Sequence, residues 1–277
     1  MNSTIAMLGH STTHAETDIA FVAPSPDLGD QLLALGMLRL SGNEQLVLMP
    51  SQRFRLSVFL PDELPRPQQL DTSITGIHTR FVPCTFDGNG RLFVALLSAR
   101  GVIRAFGLPL TDSANRRIAV ERLCSEAGLL TARMRAAPSS LGAATALKNW
   151  LETRLRAHSP PTDSARRVIL TASLLGDPDL DVSIAQLAAH FGMPRRVLAR
   201  DFREWLGVAP AIYRRLAMRE RVRQGSAADC SPLSAALQCR LVDRTRTTQP
   251  SHWRPTGDKP SLLRRLLGGR VSFLRDA

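Results

Sequence analysis

Residues 183–213 read SIAQLAAHFGMPRRVLARDFREWLGVAPAIY, and their spacing decides the architecture of the C-terminal half. Ser183 precedes Gln186 by three positions, the spacing of a capping box that opens a helix. Ile184, Leu187, Ala188 and Phe191 fall at i, i+3, i+4 and i+7 and form one apolar stripe. Gly192 supplies the left-handed residue that ends a helix. Pro194 suits the first turn of the next helix, where no amide donor is needed. In that second helix Val197, Leu198, Phe202 and Trp205 or Leu206 face inward, and Arg195, Arg196, Arg200 and Arg203 face largely outward. Two short helices braced across a glycine turn, the second arginine-rich on its exposed face, meet the requirement for entering a DNA major groove.

The charge is placed to match. The 277-residue chain carries a formal charge of +12. Residues 181–277 hold 18 Lys+Arg against 8 Asp+Glu, or +10, whereas residues 1–180 hold 18 against 16, or +2. A basic C-terminal module implies a polyanionic partner and salt-dependent binding. An arginine-biased composition also raises the charge, since only Lys148 and Lys259 are lysines. Cys84, Cys124, Cys230 and Cys239 are scattered with no CxxC pair, so they make no zinc framework and suit a reducing cytosol. His190 and His252 read as structural or solvent-facing rather than as ligands. The chain has no apolar run of transmembrane length, and its first residues lack the pattern of a secretory signal.

The positions Gly192, Leu198, Arg200, Phe202, Gly207, Pro210 and Tyr213 resemble the first helix-turn-helix of the AraC/XylS family of bacterial transcription regulators. One departure stands out. That family usually places Ser or Thr at the N-cap of the recognition helix, and this chain has Pro194. Losing a side-chain cap costs about 1 kcal/mol. The resemblance implies an α+β chain: a β-rich, cupin-like sensor domain with helices, followed by an all-α helix-turn-helix DNA-binding domain. It implies a cytoplasmic, nucleoid-associated regulator, an activator by type and no enzyme. Its partners would be double-stranded promoter DNA, RNA polymerase, a small-molecule effector and a second copy of the chain. The resemblance calls for no cofactor or metal and leaves the effector residues unassigned.

The domain boundaries follow from composition and period. Residues 1–30 are polar and read as a flexible lead-in, residues 31–177 as the sensor domain, and residues 178–277 as the DNA-binding domain. GDPD at 176–179 marks the break between the last two. Residues 45–60 read as two strands about a turn at Pro50 and Ser51. In the second, Phe54, Leu56, Val58 and Leu60 alternate with Arg53, Arg55 and Ser57 as in a half-buried strand. Residues 61–71 read as a loop and residues 74–82 as one strand. Asp87-Gly88-Asn89-Gly90 signals a turn, and RLFVALLS after it fits a strand or a short helix. Helical period begins near Arg117 and predicts helices over 117–135, 140–157 and 163–176. The stripe Leu141, Ala144, Leu147, Leu151 and Leu155 is either core or a dimer seam. GIHTRFVPCTF at 76–86, GLPLTD at 107–112 and WLETRL at 150–155 resemble the sensor domains of one branch of the same family.

Within the DNA-binding domain, the first helix-turn-helix spans 183–207, a linker helix spans 210–224 with Leu216 and Met218 partly buried, and a second unit falls in 231–264. That second unit departs from the family pattern. Pro232, Leu233, Ala236 and Leu237 fit its first helix, and Trp253, Arg254, Gly257 and Pro260 fit its end. Arg240 stands where a turn glycine belongs, and Pro250 interrupts the second recognition helix at a cost of about 3 kcal/mol. The unit reads as degenerate, or as scrambled over 240–252 by compensating frame slips, with Arg244, Arg246 and Arg254 left as phosphate contacts. The tail SLLRRLLGGRVSFLRDA starts as a short basic amphipathic helix.

The recognition helix 195–205 carries the expected site. Arg195 and Arg196, near its N-terminus, are placed to reach base edges, where arginine pairs bidentately with guanine. Ala199 can touch a thymine methyl, Arg200 and Arg203 read bases or clamp phosphates, and Arg214 and Arg215 serve as phosphate contacts. The alternative for Arg200 is a salt bridge, better made to Glu204 at i+4 than to Asp201. Two other functions compete: a degenerate regulator acting through non-specific DNA or protein contacts, and a DNA-repair alkyltransferase-linked regulator. The dispersed cysteines argue against the second.

Overall fold

The computed structural model describes residues 19–40, 44–63, 72–177, 180, 182–225, 239–243 and 272–274. The chain is mixed α+β, with a β-rich N-terminal region followed by helices. The N-terminal strands are β1 (Ile19–Val22), β2 (Leu32–Leu40), β3 (Glu44–Leu48), β4 (Phe54–Pro61), β5 (Thr72–Thr75), β6 (Val82–Thr85) and β7 (Gly90–Leu97). Helix α1 (Ala99–Phe106) and strand β8 (Arg117–Ala119) follow. The helices are then α2 (Ala127–Ala136), α3 (Ser140–Ala157), α4 (Asp163–Gly176), α5 (Ile184–His190), α6 (Arg195–Leu206) and α7 (Pro210–Gly225). Two late strands, β9 (Cys239–Asp243) and β10 (Ser272–Leu274), complete the described chain.

One seven-stranded sheet runs β10-β1-β2-β7-β4-β5-β8, and a three-stranded sheet runs β6-β3-β9. Strand alternation divides the apolar side chains between two cores. On β7, Leu92 and Val94 enter a small core facing β3 and β6, while Phe93, Ala95 and Leu97 enter the main core. The main core continues from the large sheet through α1–α4 into α5–α7.

Several elements differ from the sequence expectation. The lead-in expected over residues 1–30 includes a strand, because β1 pairs antiparallel with β2. Strand β4 is buried on both faces rather than one. Phe54, Leu56 and Val58 face the helices, while Arg55 and Ser57 face the small sheet, which covers what a single sheet would leave to solvent. The two strands either side of Pro50 do not pair with each other; β3 joins β6, and β4 joins β5 and β7. The single strand expected at 74–82 is broken after Thr75, where His78 instead bridges Ser51. Residues 117–119 form a strand, not a helix, and α1 is a helix ahead of the helical period expected from Arg117. Its local signal is nonetheless there: Ser98 caps Gly101 N at 3.0 Å, and Gly107 ends the helix at φ +67°.

The stripe on α3 is core: Leu147, Leu151 and Leu155 are fully buried within the chain, so they are not a dimer seam. Helix α4 packs on α1 and also on α6 and α7, so the break at 176–179 divides the chain without separating α4 from the helices beyond it. Of the two residues expected to be partly buried, Leu216 is fully buried and Met218 is 54% exposed. Of the second unit at 231–264, residues 239–243 are described, and they are a strand antiparallel to β3 instead of part of a helical pair. With Arg240 in place of a turn glycine and Leu241-Val242 following, the segment favours extended pairing on an open sheet edge. The remainder of that unit, including Pro250 and Trp253, lies outside the described residues, as do residues 64–71 of the expected loop and residues 261–271 of the tail. Residues 272–274 pair parallel with β1.

Candidate nucleic-acid interface

Helices α5 and α6 form the two-helix unit that the sequence spacing anticipates. The capping box is complete: Gln186 N donates to Ser183 Oγ at 3.2 Å, and Ser183 N donates to Gln186 Oε1 at 2.8 Å. Leu187 and Ala188 are buried, and Ile184 and Phe191 pack half-buried against the same core. His190 is exposed, with its ring edge-on to Phe191 at 5.3 Å. Gly192 takes φ +63°, the left-handed turn between the helices. Pro194 is the N-cap of α6 rather than its first helical residue, and it offers no side-chain hydrogen bond.

Leu198, Phe202, Trp205 and Leu206 anchor α6 in the core, and Val197 is half-buried. Phe202 meets Tyr213 of α7 edge-on at 5.3 Å, and Trp205 Nε1 donates to Ser164 Oγ at 3.0 Å. Burial pushes the Tyr213 phenol well above its ordinary range, so it stays neutral. The opposite face of α6 presents Arg195, Arg196, Arg200 and Arg203 to solvent. Arg195 and Arg196 make no ion pair among the described residues, Arg203 leans on the Ala199 carbonyl at 3.5 Å, and Ala199 is half-buried among them. Among the described residues, only Arg200 of these four guanidiniums meets a carboxylate.

Arg200 pairs with Asp201, the neighbour that helix spacing disfavours, and not with Glu204. The contact is long, 3.5 Å, and the Arg200 side chain remains 73% exposed. It is possible because Asp201 is turned into the core, 4% exposed, to meet Arg167 of α4 at 3.0 Å. Arg214 is half-buried and donates to the Val182 carbonyl at 3.3 Å, which draws it away from the surface role expected for it. Arg215 is exposed.

The residues that seat this unit on the β-rich region are not apparent from local spacing. Arg167–Asp201 is one. Arg53, in the β3–β4 turn, reaches Glu220 of α7 at 2.7 Å. Thr111 Oγ1 donates to the Glu204 carbonyl at 3.0 Å, beneath the end of α6. Gly207 closes α6 at φ +74°, where an added Cβ would lie 3.1 Å from the Leu110 and Thr111 carbonyl oxygens. GLPLTD at 107–112 is therefore the seat of the second helix. One signal is available in the sequence: Asp201 sits on the same spacing as Leu198 and Trp205, so a carboxylate on the apolar stripe has to find a partner.

Among the described residues there is no group of His, Cys, Asp and Glu able to hold a metal ion, and no helix is long and apolar enough to cross a membrane. Cys84 and Cys124 are buried free thiols. Comparison with protein-family models, with curated proteins and with solved structures gives no match to this chain.

Proposed function

We propose that this chain is a DNA-binding transcriptional regulator of the AraC/XylS type, with a cupin-like N-terminal domain that modulates it. The observation that carries the reading is the arginine face of α6: Arg195, Arg196, Arg200 and Arg203 exposed on a helix that α5 braces across a left-handed glycine. Such a helix inserts its N-terminal residues at base edges while the first helix crosses the backbone. Arg195 and Arg196 read bases, Arg203 and Arg200 read bases or hold phosphates, Ala199 meets a thymine methyl, and Arg215 holds a phosphate. Arg214, tied to Val182, is the weakest member of the set.

The ties from α6 and α7 to Thr111 and Arg53 give the N-terminal region a physical hold on the reading helix, which is what an effector-driven change of DNA affinity requires. The second reading, charge-driven binding without sequence preference, draws on residues 239–243, which form a strand instead of part of a second reading unit.

The test is fluorescence anisotropy with the DNA upstream of this reading frame, against scrambled DNA, across a salt series, for the wild type and Arg196→Ala. A preference over scrambled DNA that Arg196→Ala relaxes supports sequence reading by α6. Equal, steeply salt-dependent binding to both DNAs, indifferent to the substitution, overturns it in favour of non-specific binding.

A further inference from the structure

Three arginines share one stripe of α6. Arg196, Arg200 and Arg203 stand four and three positions apart, so each is a neighbour of the next on the exposed face. Like charges at that spacing repel, and Arg200, in the middle, is pushed from both sides. Arg200 is also the member of the stripe that meets a carboxylate among the described residues: its Nη2 lies 3.5 Å from Asp201 Oδ1.

The anchor is fixed and the arm is not. The Arg200 side chain is 73% exposed, whereas that of Asp201 is 4% exposed, with its other oxygen held by Arg167 of α4 at 3.0 Å. A carboxylate seated in the core and divided between two guanidiniums does not follow a mobile side chain; the side chain is drawn to it. A free arginine spreads over many rotamers, and that freedom has to be given up before its fork lines up on a base. A fixed negative charge at its root restricts the rotamers in advance. The contact occupies one Nη, which leaves the rest of the five-donor fork facing outward. Phosphate contact demands no such alignment and carries no sequence information. For a phosphate clamp the carboxylate is a hindrance, because it cancels part of the charge that would attract the backbone.

We propose, on the reading of α6 as a DNA-contacting helix, that Asp201 is a specificity-determining positioning residue: held by Arg167, it orients Arg200 to read a base edge and keeps it from acting as a phosphate clamp. Arg200 is thereby assigned to base reading. Asp201 touches no DNA itself; it acts through Arg200.

The experiment starts from duplexes selected by the full chain out of a random library. Fluorescence anisotropy then measures binding to the selected duplex, to its single-base-pair variants and to scrambled DNA, across a salt series. The base pair whose substitution ceases to matter in Arg200→Ala is the one Arg200 reads. Asp201→Asn is expected to lower the penalty at that same base pair about tenfold. It is also expected to bind scrambled DNA more tightly, with a salt slope steeper by about 1 as Arg200 turns to a phosphate. Glu204→Gln removes the same charge from the same helix, but Glu204 makes no ion pair with Arg200, and the penalty stays at its wild-type value. A folded Asp201→Asn that keeps the wild-type penalty overturns the proposal. So does one that lowers the penalties at every position alike, which is a structural role, or a loss matched by Glu204→Gln, which is bare charge. A library that yields no preferred sequence overturns the reading of α6 as a base reader and this assignment with it. Should Asp201→Asn fail to fold, the double variant Arg167→Met, Asp201→Leu, which strands no buried charge, is held to the same outcomes.

Discussion

Arg167 of α4 and Asp201 of α6 form an ion pair at 3.0 Å with the carboxylate buried and the guanidinium partly exposed. The pair fixes how α6 is rolled on its support. Asp201 lies one residue from Arg200 and one from Phe202, so the roll that buries the carboxylate also buries the ring and turns the arginine outward. Removing Arg167 strands a buried charge, whereas replacing both partners with apolar side chains strands none. Arg167→Met is therefore expected to lose roughly 2–3 kcal/mol of unfolding free energy, discounted for the exposure of the guanidinium. The double variant Arg167→Met, Asp201→Leu recovers most of that. Urea denaturation of the four-member cycle measures it, and additive losses would show that the pair is not coupled.

Gly207 tests the seat of α6 on the 107–112 segment. Any L-residue there meets two penalties, the left-handed φ of +74° and a Cβ 3.1 Å from two carbonyl oxygens. Gly207→Ala is expected to cost about 2 kcal/mol, with the backbone conformation the larger share. Thr111→Val, which removes one exposed hydrogen bond to Glu204, is expected to cost about 0.5–1 kcal/mol. Thermal melting of the two variants checks the order, and equal losses would count against a tight seat.

The neighbours Arg214 and Arg215 separate structural from phosphate-contacting roles. Arg215 is exposed, so Arg215→Ala is expected to weaken binding to specific and scrambled DNA alike and to reduce the salt slope by about 1. Arg214 holds the Val182 carbonyl, and Arg214→Ala is expected to cost about 1 kcal/mol of stability in the absence of DNA. Parallel anisotropy and denaturation series resolve the two, and a salt-slope change from Arg214→Ala without loss of stability would reverse the assignment.

What is legible in the sequence is what local spacing controls. The capping box at Ser183, the turn at Gly192 and the outward arginines of α6 all depend on residues within a few positions of one another. What is not legible depends on distant partners. The alternation in β4 can be read directly, but nothing local to it announces a second sheet over Arg55 and Ser57. Spacing favours Glu204 as the partner of Arg200, yet the buried carboxylate of Asp201 is fixed by Arg167, 34 positions earlier. GLPLTD stands out as a signature, and its role as a seat emerges only once Gly207 is placed against it.

His78 predicts an acid-sensitive joint. It is 1% exposed, its backbone exchanges hydrogen bonds with Ser51 at 2.9 and 3.0 Å, and neither ring nitrogen finds a partner among the described residues. Burial, aided by the charge of Arg55, holds its pKa down at about 3 from an ordinary 6.5. Above about pH 6.5 the imidazole is neutral in folded and unfolded chains, and it contributes no pH dependence. Below that value the unfolded chain takes up a proton that the folded chain refuses, so stability falls as the pH drops from 6.5 toward 3. Between about pH 7 and pH 4.5 the loss is expected to be roughly 2–3 kcal/mol, at about 1.36 kcal/mol per unit. His78→Gln, which cannot titrate, is expected to flatten that part of the profile even where it lowers stability at neutral pH. Urea midpoints at the two pH values for both proteins measure the difference, and an unchanged slope in His78→Gln would assign the acid sensitivity to the carboxylates instead.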